Sequence, residues 1–213
     1  MYDLPDPLLL LQCPPQKLNF KQEYKRKISG YWHMLFVNEC RDLKSLKYFR
    51  PELYSLSKPH YLWISSAGRP YESSKSTILA RMLSGRYRSE FFTRHFKVNS
   101  NGLCSANTCE NVMGTLEHIL MSCPAYNNTR EQQFALCLSK TVMFPFLHGF
   151  IRAILNADEY VKTQFFLEPL AFPAIREESR SHGQQYLSTL SYLCRSFVFS
   201  IHREFLKRLK NNQ

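Results

Sequence analysis

Residues 184–210 read QQYLSTLSYLCRSFVFSIHREFLKRLK, and this stretch decides the fold. Tyr186, Leu190, Leu193, Phe197, Ile201 and Phe205 recur at three- and four-residue steps. That is the period of an α-helix, and so long and aromatic-rich a stripe predicts a helix with one face in the core. The cations of the same stretch, Arg195, His202, Arg203, Lys207, Arg208 and Lys210, read as a solvated face that suits the negative pole at a helix C-terminus. Gly183, Pro173 and Pro169 break what precedes it. Working back, residues 129–142, 146–156 and 158–168 predict three shorter helices. Residues 73–96 predict one or two, with Ile78, Leu79, Met82 and Leu83 as one apolar stripe and Phe91, Phe92 and Phe96 as another. Residues 57–72 predict a loop with an extended piece over Tyr61 to Ile64, and 42–49 a short helix stopped by Pro51. Residues 18–41 predict a long helix on Phe20, Tyr24, Ile28, Tyr31, Leu35 and Phe36, weakened at Gly30. Four prolines within residues 1–16 predict an irregular lead-in. No segment shows convincing strand alternation, so the class is mainly α.

One segment departs from this helical pattern. Residues 97–114 are polar and loop-like, and they open the spacing Cys104-x4-Cys109-x8-His118-x4-Cys123. Zinc takes four N/S ligands in a tetrahedron, with thiolate and imidazole as its usual donors. The first two cysteines sit in a loop able to fold back on itself, freed by Gly102 and Gly114. The second pair brackets a short predicted helix, 115–121, with Thr115 as N-cap and Pro124 as stop. Four protein ligands close a zinc site, so the metal is expected to be structural, not catalytic. His95 is an alternative ligand. Cys137 and Cys194 read as small core residues. The expected architecture is a helical domain with one small embedded zinc finger. Its expected parts are a lead-in at 1–17, a basic helical region at 18–97, the zinc segment at 98–130 and a C-terminal helical region at 131–213.

Charge points to a partner. The 213 residues hold 28 Lys and Arg against 17 Asp and Glu, a net charge of +11. Residues 1–100 carry 17 of the basic and 8 of the acidic residues, so the excess lies before the finger. There Arg81, Arg86, Arg88, Arg94, His95 and Lys97 alternate with Tyr87, Phe91, Phe92 and Phe96. Arginine grips phosphate bidentately and aromatic rings stack on unpaired bases, so Arg81, Arg86, Arg88, Arg94 and Lys97 are candidate nucleic-acid contacts. The same run also fits an amphipathic helix with a solvated face. Only four aspartates occur, with no Asp-Asp pair, so no local motif supplies the clustered carboxylates of two-metal phosphoryl transfer. Nothing approaches the ~20 apolar residues of a membrane span, and no basic leader precedes Leu8 to Leu11. The expectation is an intracellular protein, nuclear or cytoplasmic, with no membrane and no small-molecule substrate, whose cysteines remain reduced.

Four stretches carry a family resemblance: LSKPHYLW at 56–63, ILARMLSGRYR at 78–88, LEHILMSCP at 116–124 and CRSFVFSIHR at 194–203. Together they resemble the carboxy-terminal region of non-LTR retrotransposon reverse transcriptases, over most of residues 20–210. The resemblance implies that the family's zinc ligands fall on Cys104, Cys109, His118 and Cys123. Phe197 stands where the family is expected to carry Trp. The polymerase motif, an aromatic residue followed two positions later by an Asp pair, has no match, and neither does an endonuclease motif. The implied function is a nucleic-acid-binding tail without catalysis of its own, holding template RNA or target DNA. Such a chain would be a truncated element copy or a host gene derived from one. A zinc-stabilised helical module with a protein partner is the alternative.

Overall fold

The structure is a computed structural model that describes residues 6–55, 58–93 and 101–211. The chain forms two compact units, Met1–His60 and Tyr61–Gln213. Their boundary falls inside the basic region expected at 18–97.

In the first unit, α1 (Pro7–Gln12) starts at Asp6, whose carboxylate accepts the Leu8 N–H at 2.9 Å. The long α2 (Lys17–Asp42) runs where the apolar repeat places it and passes through Gly30 without leaving helical geometry. Leu43 is extended, which ends the α-ladder. The helix expected at 42–49 is therefore reduced to a single 3-10 turn, Lys44–Leu46, followed by another at Pro51–Leu53. A small aromatic cluster closes this unit. Phe36 meets Phe49 edge-on at 6.1 Å, and Phe49 stacks on Tyr54 at 5.5 Å.

The second unit is built from α3 (Tyr61–Ser66), α4 (Pro70–Leu83), α5 (Glu90–Thr93), α6 (Asn127–Thr141), α7 (Pro145–Leu155), α8 (Glu159–Leu167) and α9 (Pro173–Asn211). Proline occupies the first position of α4, α7 and α9, where its missing N–H costs nothing. Gly183 turns α9 sharply, with φ 66° and ψ −149°, a backbone state that glycine adopts freely. Beyond it, Tyr186, Leu190, Leu193, Phe197, Ile201 and Phe205 are all buried. α3, α4, α6 and α8 pack around that face. Phe197 packs against Phe166 of α8, at 3.9 Å and 18°, and Phe134 of α6, at 5.6 Å and 3°, and those two rings also meet at 5.9 Å. Cys137 and Cys194 are buried, and burial pushes the Cys137 thiol up to about 12. The fold is mainly α. Among the described residues the β contribution is one isolated bridge, Leu103 to Met113. No described helix is long and apolar enough to cross a membrane.

Three further expectations are corrected. The lead-in expected to be irregular holds the helix α1, because Asp6 caps it and Pro7 suits its first turn. Tyr61 to Ile64 is helical, not extended. An apolar run this short has no period of its own, and α3 forms because Leu62 is buried and its carbonyl collects hydroxyl donors from Ser65, Ser66 and Ser76. Arg195 is not on a solvated face either. It is 2% exposed, paired with Glu72 at 3.2 Å and donating to Ser191 Oγ at 2.8 Å and to Ser65 Oγ. A buried cation needs such a set of partners to offset its lost hydration.

Phe197→Ala should destabilise the second unit by about 3–5 kcal/mol, because it empties a fully buried site whose neighbouring rings are held on two other helices. Urea unfolding followed by circular dichroism checks this, and a loss within experimental error would contradict the central role of the Phe197 stack.

Candidate metal centre

Cys104 and Cys109 lie on a loop that folds back on itself. Cys104 N–H donates to Val112 O at 2.7 Å, Gly114 N–H to Gly102 O at 2.9 Å and Cys109 N–H to Ala106 O at 2.8 Å. The reversal needs left-handed backbone at Gly102 (φ 74°) and Asn111 (φ 56°), residue types that tolerate it. Thr115 then caps the next element, its hydroxyl accepting the His118 N–H at 3.2 Å. That element is not the expected α-helix. His118–Ser122 is a π-turn, closed by Cys123 N–H to His118 O at 2.7 Å. The difference matters for the site. Five residues along an α-helix are roughly 140° apart, on different faces. The wider i→i+5 turn returns position 123 toward the side of position 118.

The result is a cluster. Cys104, Cys109, His118 and Cys123 are all buried, and their ligand atoms lie within 4.8 Å of one another. Cys123 Sγ is 3.8 Å from both Cys104 Sγ and Cys109 Sγ, and all three cysteines are free thiols. A disulfide would need about 2.05 Å. A tetrahedral metal with thiolate bonds of about 2.3 Å has an edge of about 3.8 Å, which matches. His118 Nε2 is buried with no hydrogen-bond partner among the described residues, while Nδ1 lies 3.2 Å from Ser122 Oγ. Nε2 is thus the atom left to ligate, and Nδ1 the atom that Ser122 orients. The four side chains are a site able to hold one metal ion. Burial pushes the Cys104 thiol up to about 12, raises Cys123 and lowers His118. Burial thus disfavours unbalanced thiolate and imidazolium charge at these three side chains.

Around the four cluster residues stand side chains to which the sequence reading assigns no part in the site. Arg130 is buried and closes the C-terminal end of the π-turn, donating to Leu120 O at 2.9 Å and to Cys123 O at 2.6 Å. These are carbonyls that a helix end leaves without intrahelical partners. Glu90 accepts from Ser105 N–H at 3.0 Å, from the Ser105 hydroxyl and from Arg208 Nη2 at 2.9 Å. Arg208, on the last turns of α9, reaches the sulfurs themselves, with Nη1 3.7 Å from Cys123 Sγ and Nη2 3.8 Å from Cys104 Sγ. Arg208, like Arg195, therefore does not belong to a solvated face. Its distance in sequence from the cysteines leaves no local signal.

Of the expected nucleic-acid contacts, Arg81, Arg86 and Arg88 are exposed and line one groove of about 780 Å³ with Tyr87, His202 and Phe205. Gly85 (φ 68°) ends α4 and sends the chain into it. Gly85 N–H donates to Met82 O at 3.1 Å and Arg86 N–H to Arg81 O at 2.8 Å, the paired bonds of a glycine C-cap. Tyr87 is buried and its hydroxyl meets His202 Nδ1 at 3.0 Å, which pins the turn to α9. Arg94 and Lys97, and with them His95, lie outside the described residues.

No family model, curated protein or solved structure matches this chain.

Gly114 leaves no room for a side chain. A Cβ there would stand 2.5 Å from Glu90 Oε2 and 2.7 Å from Glu90 Cβ. Glu90 is held by Ser105 and Arg208 and cannot simply swing aside. Gly114→Ala should therefore cost about 1–3 kcal/mol of stability, the usual penalty of forced overpacking. Thermal unfolding reads it, and an unchanged midpoint would show that the loop relaxes freely.

Proposed function

We propose that this chain is a zinc-stabilised, non-catalytic nucleic-acid-binding module, the tail of a protein of the non-LTR reverse-transcriptase type. Zinc is the metal favoured by three thiolates and one imidazole at these separations. Bound there, it would supply a structural cross-link between the 102–114 loop and the π-turn, with no open position for chemistry.

The observation that carries the nucleic-acid reading is the convergence of Arg81, Arg86 and Arg88 on one groove. None of the three makes an ion pair among the described residues, so each guanidinium can serve a phosphate. The cationic excess of the first hundred residues acts in the same direction, by attracting a polyanion. RNA and DNA backbones both satisfy this chemistry, and a nuclear or cytoplasmic location suits either. The competing reading, a zinc-stabilised module with a protein partner, draws on Trp32 and Met34, which are exposed on α2 at 51% and 54%.

Filter binding of single-stranded RNA across a salt series separates the two. Affinity should fall steeply with salt as displaced counterions return, and Arg86→Ala/Arg88→Ala should flatten the log–log slope by about 1.4 if each arginine meets one phosphate. Equal, salt-insensitive binding by wild type and double variant would exclude the nucleic-acid reading. Elemental analysis should return one zinc per chain and none for Cys109→Ser.

A further inference from the structure

We infer that Arg208 is the outer clamp of the metal centre, a positioning residue that couples metal loading to the docking of the last turns of α9. The inference rests on the reading that the cluster holds zinc.

Geometry carries it. One guanidinium spans three acceptors from three segments: Cys123 Sγ at the end of the π-turn, Cys104 Sγ on the loop and Glu90 Oε1 on α5. Its plane also lies over the Tyr126 ring, 4.9 Å from the centroid. Only the planar fork of arginine reaches several acceptors in fixed directions, because a lysine ammonium is a point charge on a flexible stem. The side chain is 14% exposed and that of Glu90 is 10%, so the pair works where water screens weakly.

The charges then balance. Three thiolates around a divalent ion and a neutral imidazole leave one negative charge, and Glu90 adds a second. Arg208 and the buried Arg130 supply the two compensating positives. Metal binding takes the proton from each ligating thiol, so loading turns Cys104 and Cys123 into thiolates. Arg208 then holds two anionic sulfurs in addition to Glu90. Metal loading therefore strengthens the contact that holds residues 200–211 in place. Phe205, Leu206 and Leu209 on those same turns form a wall of the arginine groove, so the turns that Arg208 anchors also shape that groove.

The test measures zinc affinity of the full chain by competition with a chromogenic chelator, for wild type, Arg208→Gln, Arg208→Lys and Arg203→Gln. Arg203 is exposed on α9, and its substitution removes the same charge away from the centre. Arg208→Gln should bind zinc 10- to 100-fold more weakly, the usual range for loss of an outer-shell partner. Arg208→Lys should be intermediate and Arg203→Gln unchanged. Hydrogen exchange supplies the second readout: amides of residues 200–211 should lose protection when zinc is withdrawn from wild type, and should be unprotected with or without zinc in Arg208→Gln. Equal zinc affinity in Arg208→Gln and Arg203→Gln would overturn the clamp. If Arg208→Gln fails to fold, Arg208→Lys decides, and wild-type affinity there overturns it equally. Failure of wild type itself to bind zinc would instead remove the metal reading on which the clamp stands.

Discussion

Burial of a single face of residues 184–211 is the constraint on which the second unit depends. Six large apolar side chains on that face are out of water, and α3, α4, α6 and α8 cover them. Removing so much apolar surface from water is the main favourable contribution to folding. It also fixes everything else on the same rod. Once the stripe faces inward, its angular positions determine where Arg195, His202 and Arg208 must point. Arg195 therefore lands inside, and Glu72, Ser65 and Ser191 must be there to receive it. Arg208 lands against the thiol cluster, three residues beyond Phe205.

The metal centre meets a different constraint. The segment from Gly102 to Tyr126 buries Ile119, Leu120 and Tyr126, and local devices shape the backbone around them: left-handed residues at two positions, a Thr cap, a π-turn and a buried guanidinium on the π-turn's last carbonyls. Each device satisfies a backbone or side-chain group that would otherwise be buried alone. What they leave over is three thiols and one imidazole nitrogen, His118 Nε2, converging on one point. Gly114 is part of the same economy, because only a missing side chain lets Glu90 come close enough to hold both the loop and Arg208.

The groove joins the two. Its arginines come from the α4 C-terminus and the glycine-capped turn after it, and its opposite wall from the last turns of α9. The groove and the metal centre thus share one rigid helix, with Tyr87–His202 on one side and Arg208–thiol contacts on the other. Zinc and a phosphate backbone are proposed occupants of two sites whose geometry is set together.

The helical class, the core stripe and the four residues of the thiol–imidazole cluster were legible in sequence, for a physical reason. Period 3.6 is a property of the local chain, and so is the clustering of cysteine and histidine within twenty residues. The short elements were not. Tyr61 to Ile64 is too short to show a period, and it became helical because Leu62 found a place in the core. The π-turn could not be read from residue types, since it differs from an α-helix only in which carbonyl the Cys123 N–H meets. The roles of Arg195, Arg208, Arg130 and Glu90 were decided by tertiary structure alone. A charged side chain reads the same in sequence on a wet face or a dry one. Which of the two it occupies depends on partners brought from up to 130 residues away, as Arg195 and Ser65 are. Sequence by itself therefore determined which helices could form and where a metal could bind. Only packing decided which cations would be buried to support them, because that choice follows from the rotation of one helix about its apolar face.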